Sequence, residues 1–188
     1  MNKKYKIIAL FGPAGSGKDY IQKHIMRTIW GKTHFNEIIS CTTRPPREGE
    51  KDGVNYYFKS KNSEFFSVPL LECSCFRNWW YGTSTDHLST DKINIGVFNI
   101  HGINSLLEKE EVDCFPIYIK TNPKIRLLRQ LQRETEPDCD EIVRRYLTDQ
   151  KDFLNIPFHY HVIENNTDEI QPIIHDIIDL SRSMDKIN

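Results

Sequence analysis

Phe11-Gly12-Pro13-Ala14-Gly15-Ser16-Gly17-Lys18-Asp19 is the stretch from which the fold can be read. It spells G-x-x-x-x-G-K from Gly12 to Lys18. It follows the apolar run Ile7-Ile8-Ala9-Leu10-Phe11 and precedes a segment with helical apolar spacing at Ile21, Ile25, Met26 and Ile29. Strand, glycine loop and helix together make a phosphate cradle. Small residues let successive backbone N–H groups of Gly12, Pro13, Ala14, Gly15, Ser16 and Gly17 (Pro13 excepted, having none) converge on an anion. The helix adds its positive dipole end and Lys18 a full charge. One position departs from the pattern. The residue after the lysine should carry a hydroxyl for magnesium, and here it is Asp19.

Outward from the loop, apolar runs alternate with helical patterns. A strand is expected over about 6–11, a helix over 17–30 and a short strand over 38–42. A strand over 92–99 and a helix over 102–110 follow. The pattern continues with a strand over 115–120, helices over 123–133 and 138–155, and a short strand over 160–163. Ile170, Ile173, Ile174, Ile177 and Ile178 recur at helical spacing, with Pro172 in the first turn of a closing helix. This alternation predicts an α/β fold, a parallel sheet core with helices on both faces. Ligands of such sheets bind at the carboxyl ends of the strands.

At 188 residues the chain fits one domain. The net charge of −1 gives no reason to expect a nucleic-acid or membrane partner. No apolar stretch approaches the roughly 20 residues of a membrane span, and the apolar run after the N-terminus is too short for a signal-peptide core. The cysteines at 41, 73, 75, 114 and 139 are odd in number and form no C-x-x-C pair. They read as reduced thiols, so a cytoplasmic location is expected.

A second constellation lies in Ser40-Cys41-Thr42-Thr43-Arg44-Pro45-Pro46-Arg47, followed by Glu48-Gly49-Glu50-Lys51-Asp52-Gly53 and Val54-Asn55-Tyr56-Tyr57-Phe58. It is too polar for a core. Two arginines three residues apart, stiffened by prolines and close to tyrosines, suit a phosphomonoester dianion, since guanidinium offers planar forked donors. On its residues alone the segment reads equally well as a solvated proline-rich loop.

The pattern S-x-T-T-R-P-P-R-x-G-E-x-D-G-x-x-Y-x-F resembles the GMP-binding signature of guanylate kinases. The likeness continues through Leu71-Glu72 and Tyr81-Gly82-Thr83 and over most of the chain. It implies the P-loop NTPase fold with added GMP-binding and lid segments. The core would be 1–39, 92–127 and 156–188, the GMP-binding segment 40–91 and the lid 128–155. By this resemblance Ser40 and Glu72 hold the guanine base, and Arg44, Arg47, Tyr56 and Tyr81 hold the GMP phosphate. Thr83 supports the base or its neighbours. Guanine's adjacent N1–H and N2–H₂ donors suit a carboxylate that accepts twice.

The lid would supply Arg133 and Arg145 to the transferring phosphoryl group. Arg129 is a further candidate, while Arg144 reads as a surface helix arginine. Asn165, in Val162-Ile163-Glu164-Asn165-Asn166, matches the family's adenine contact. The implied reaction is phosphoryl transfer from ATP to GMP or dGMP with Mg²⁺, in a monomer or homodimer. Two other readings use the same residues: a non-catalytic phosphate-binding module, or a kinase of a modified nucleotide or a ribose phosphate.

The resemblance is broken at three points. Besides Asp19, the family's D-x-D becomes Val97-Phe98-Asn99, so Asn99 stands where the acid that helps bind guanine would be, and Val97 replaces the other acid. A glycine-containing turn becomes Arg77-Asn78-Trp79-Trp80, with Asn78 expected to supply the positive φ and the tryptophans to pack. The first two changes suggest that the magnesium carboxylate has moved from Val97 to Asp19, meeting the ion directly or through a coordinated water.

Overall fold

The computed structural model describes residues 5–47, 49–76, 78–133 and 135–185; Glu48 and Arg77 of the quoted motifs lie outside them. The order is β1 (Tyr5–Phe11), α1 (Lys18–Arg27), α2 (Ile29–His34), β2 (Phe35–Glu37), β3 (Cys41–Thr42), β4 (Tyr57–Phe58), α3 (Asn62–Phe65), β5 (Leu70–Phe76) and β6 (Trp79–Ser84). Then come β7 (Ile93–Val97), α4 (Ile100–Leu107), β8 (Val112–Lys120), α5 (Pro123–Leu131), α6 (Cys139–Asp152), β9 (His161–Glu164) and α7 (Gln171–Asp185).

Five strands form a parallel sheet in the order β2-β7-β1-β8-β9, with β1 at the centre. Its continuous apolar run has a physical reason: both faces are covered. Ile8 and Leu10 point to a core that includes Ile21 and Ile25 of α1 and Ile174 and Ile177 of α7. Ile7, Ala9 and Phe11 point to the opposite core, with Ile103 and Leu106 of α4. This is the alternation expected of a central parallel strand. It agrees with the α/β sheet expected from the sequence, and Pro172 lies in the first turn of α7 as expected.

Two differences from the sequence reading have clear causes. The helix expected over 17–30 breaks at Thr28, which is extended (φ −68°, ψ 158°). Its hydroxyl donates to the Ile25 carbonyl at 2.7 Å and accepts from the Gly31 N–H at 2.9 Å, ending α1 and capping α2. Second, residues 41–84 form a separate sheet, in the order β4-β3-β6-β5, which periodicity did not reveal. Its strands β3 and β4 have two residues each, too short to show an alternation. Asn78 has φ +63° in the turn between β5 and β6, as expected there. Trp80 packs beside Phe65 and Phe66, while Trp79 is partly exposed.

Thr28→Ala removes both hydroxyl contacts at the helix break. It should destabilise the chain by about 1 kcal/mol in urea denaturation at constant m-value. Unchanged stability would mean that the break rests on packing alone.

Candidate active site

The glycine loop begins where β1 ends, at the carboxyl edge of the central sheet. Gly12, Gly15 and Gly17 all have positive φ. Gly15 needs its freedom twice. Its φ is +77°, and a Cβ there would stand 2.6 Å from the Arg126 carbonyl oxygen. The loop is braced from behind. The Ser16 carbonyl accepts from Thr121 Oγ1 at 3.1 Å and from Asn165 Nδ2 at 2.8 Å. Lys18 folds over the loop, donating from Nζ to the carbonyls of Gly12 (2.7 Å) and Pro13 (3.1 Å) and to Ser16 Oγ (3.3 Å). Burial lowers its pKa, against the raising effect of Asp19 and Asp149. The Ala14 N–H donates to Asp149 Oδ2 of α6 at 2.6 Å.

Beside the loop helix is a cavity of about 470 Å³ lined by Gly17, Tyr20, Arg129, Asn165, Thr167 and Ile170 among others. Arg129 and Asn165, read from different parts of the sequence, meet here. Arg129 donates to the carbonyls of Asn165 and Thr167, both at 3.4 Å.

The second sheet supplies the other wall. Thr42 and Thr43 are used internally: Thr42 Oγ1 donates to the Trp80 carbonyl and Thr43 Oγ1 accepts from the Trp80 N–H, both at 2.9 Å. These bonds fix the chain just before Arg44. The Ser40 carbonyl accepts from the Tyr57 N–H at 2.9 Å, joining the two ends of the motif. Arg44 is buried and pairs in a fork with Glu50, Nη1 to Oε2 at 2.9 Å and Nη2 to Oε1 at 3.1 Å. Its guanidinium lies 5.3 Å from the Tyr56 ring centre, and the Tyr56 and Tyr81 rings are 6.1 Å apart. The burial and hydrogen bonding of this group could not be read from the motif alone. Glu50 in particular has no role that the motif alone discloses.

The electrostatics join the segments. The Arg47 pKa is lowered by desolvation, then by the positive charges of Arg44, Arg145 and Arg133. The charges of Arg133 and Arg145 thus reach Arg47, in the loop after β3. Tyr56 is pushed up to about 12, chiefly by burial and next by the charge of Asp19. The charge of the exposed Asp19 on α1 thus reaches Tyr56, the residue before β4. Arg145 Nε donates to Glu141 Oε1 at 2.6 Å, and Arg144, half exposed, makes a fork to the same carboxylate.

Glu72 is buried on β5, and Thr83 Oγ1 of β6 donates to its Oε1 at 2.8 Å. Burial is the first cause that raises its pKa to about 7, with the Thr83 hydrogen bonds opposing. Its other oxygen approaches α4, where a Cβ on Gly102 would stand 3.0 Å from Oε2. Asn99 is adjacent, but its groups are engaged. Its Oδ1 caps α4 by accepting from the Gly102 N–H at 2.8 Å, and its Nδ2 donates to Ser74 Oγ at 2.7 Å.

The guanylate kinase family model matches residues 4–181. The chain belongs to the guanylate kinase family. It is 32% identical to a guanylate kinase of Helicobacter pylori strain J99, over 93% of this chain and 86% of that protein. It is 30% identical to a guanylate kinase of Rickettsia prowazekii, over 94% and 92%. A 32% identity to MAGUK p55 subfamily member 7 of Xenopus tropicalis covers 72% of this chain and 24% of that longer protein. The crystal structure of a guanylate kinase from Anaplasma phagocytophilum shares the fold at TM-score 0.65 and 18% identity, over 97% of this chain and 87% of that one.

As a guanylate kinase the chain is an ATP:GMP phosphotransferase, whose substrates are ATP and GMP. Among the described residues no helix is long and apolar enough to cross a membrane.

Glu72 gives this guanylate kinase a pH signature of its own. The folded chain disfavours the ionised form, so the stability tied to the raised pKa is complete below the unfolded value near 4.5 and is lost as pH rises through about 7. Glu72→Gln should gain stability relative to the parent over that window, by up to on the order of 3 kcal/mol. Parallel denaturation midpoints from pH 4.5 to 8 would contradict the burial account.

Proposed function

We propose a division of labour in which the glycine loop, Lys18 and the Arg129–Asn165 cavity take ATP, while the second sheet takes GMP. The observation that carries it is that the positive charges of Arg44, Arg145 and Arg133 all act on Arg47, in a chain that keeps an intact phosphate loop. A guanidinium within the electrostatic reach of three others suits a reaction between two phosphate anions. Residues 40–91 then act as the GMP-binding segment and 128–155 as the lid, on a core of 1–39, 92–127 and 156–188.

In this reading Ser40, Glu72 and Thr83 face the guanine, and Arg44, Arg47, Tyr56 and Tyr81 face its phosphate. The Glu72 carboxylate accepts from guanine N1–H and N2–H₂, where adenine would offer an acceptor at N1. Asn99 contributes by fixing Ser74 and the start of α4, consistent with the two hydrogen bonds that occupy its amide. dGMP fits equally, since no assigned contact uses the 2′-hydroxyl.

A GMP phosphate oxygen attacks the γ-phosphorus of ATP, a P–O bond forms, and the bond to the β–γ bridging oxygen breaks to release ADP. The nucleophile is already an oxyanion, so no protein base is needed. Lys18 leaves the loop carbonyls for the phosphates, and Arg133 and Arg145 close over the transferring group and exclude water. Asp19, exposed in the first turn of α1 next to Lys18, fits a single carboxylate donor to a magnesium ion that keeps most of its waters. The ion would neutralise charge on the β- and γ-phosphates.

An ADP-release assay with ATP, magnesium and a panel of nucleoside monophosphates tests the assignment. GMP and dGMP should be used at least about a hundredfold more efficiently than AMP, because a buried carboxylate meets the wrong base edge with an unpaired group. A better rate with AMP or UMP would refute the guanine site. Lys18→Ala should abolish turnover and spare GMP binding, whereas Arg44→Ala should raise the GMP requirement and spare ATP affinity. GMP should bind more tightly as pH rises through about 7, where Glu72 ionises, and Glu72→Gln should remove that dependence.

Asp19→Asn should raise the magnesium concentration needed for half-maximal ATP affinity by calorimetry. An unchanged requirement would show that Asp19 only favours the helix dipole.

A further inference from the structure

Arg126 and Asp149 have no part in the functions above, yet they meet at the glycine loop. Arg126, on α5, is 3% exposed, and its Nε and Nη1 are buried without a hydrogen-bond partner. The nearest charge is Asp149 Oδ2, 3.8 Å from Nη1, too long for a hydrogen bond. The same Asp149 oxygen accepts from the Ala14 N–H at 2.6 Å. Both charges act on Lys18. A loop amide and an arginine thus converge on one carboxylate oxygen, whose charge also reaches Lys18.

This donor set suits a phosphate oxygen better than it suits Asp149. A buried guanidinium that makes no hydrogen bond through two of its nitrogens is costly. A tetrahedral oxyanion reaching the same point could accept from the amide and from the fork together. Asp149 and Tyr146, whose ring lies 5.2 Å from the guanidinium carbon, both belong to α6. Movement of that one helix would uncover Arg126 from two sides. Arg126 itself is fixed to the loop's rear, its carbonyl lying against Gly15.

We propose that Arg126 is a ligand of the bound nucleotide's phosphates, and that the Asp149 carboxylate stands in for them until they arrive. This rests on the reading of the glycine loop as the ATP site. Entry of a polyphosphate then exchanges one anion for another at Ala14 and Arg126, and releases α6 from the loop. Asp149 sets a threshold for ATP binding, and Arg126 gains hydrogen bonds only in the loaded state.

Calorimetric titration of the full chain with ATP, with inorganic tripolyphosphate and with adenosine tests this, in the absence of GMP. Asp149→Asn should bind ATP and tripolyphosphate at least about fivefold more tightly than the parent, with adenosine unchanged. Adding Arg126→Met to that variant, which leaves neither charge unpaired, should weaken tripolyphosphate binding by about tenfold or more relative to Asp149→Asn alone. Thermal denaturation confirms that each variant is folded. Equal or weaker tripolyphosphate binding by folded Asp149→Asn overturns the stand-in role, and parent-like binding by the double variant overturns the ligand role. A parent chain that binds neither ATP nor tripolyphosphate overturns the phosphate-loop reading as well.

Discussion

Burial of β1 on both faces is the constraint on which the site depends. A strand with no solvent face must end abruptly, because its backbone cannot wander into an apolar interior with unpaired polar groups. The chain turns at Gly12 and immediately starts α1, leaving a set of N–H groups at the carboxyl edge of the sheet. The α1 dipole then adds to them. The loop is held against α5 and the ends of the adjacent strands β8 and β9, through Arg126, Thr121 and Asn165. Anion binding is thus a consequence of how a central parallel strand terminates, and the lysine refines a site that the backbone already makes.

The second sheet has a different logic. Besides the packing of Phe65, Phe66 and Trp80, it uses side-chain hydrogen bonds to backbone, from Thr42 and Thr43 to β6 and from the Phe58 N–H to Asp52 Oδ1 at 2.8 Å. Leu71 of β5 nevertheless anchors this sheet in the core beneath β1, beside Ile7, Ala9 and Phe11. Its polar interior also holds a carboxylate at Glu72 out of water, with Thr83 as its hydrogen-bond donor and α4 covering the other oxygen. Discrimination by a buried acceptor is strong because the wrong partner leaves it unsatisfied.

Much of this was legible in the sequence, for identifiable reasons. The loop could be read because phosphate geometry demands glycine at fixed offsets, and the central sheet because double-sided burial writes apolar runs. The S-x-T-T-R-P-P-R segment could be read through its resemblance, although its threonines turn out to serve the backbone. The second sheet was hidden because two-residue strands carry no period. The break at Thr28 was hidden because a threonine that caps looks like one that does not. Arg126 and Asp149 were hidden most deeply. At helical spacing each passes for an ordinary surface residue, and only the packing of α5 and α6 against the loop buries them.

The arginines of the site follow a common pattern once these pairs are seen together. Arg44 is held by Glu50, Arg145 by Glu141 and Arg126 by Asp149. A chain that must gather several cations for two phosphate substrates would repel itself when empty. Internal carboxylates relieve that repulsion without filling the site permanently, since each holds its arginine in reach of the cleft. The arrangement is graded. Glu50, half-buried, grips Arg44 through a two-pronged hydrogen bond and so orients the guanidinium. Glu141 shares itself between Arg144 and Arg145 on a half-exposed helix, where an ion pair is worth little and exchanges readily. On the proposed division of labour, the firmly held cation belongs to the sheet that takes GMP, and the loosely held one to the lid.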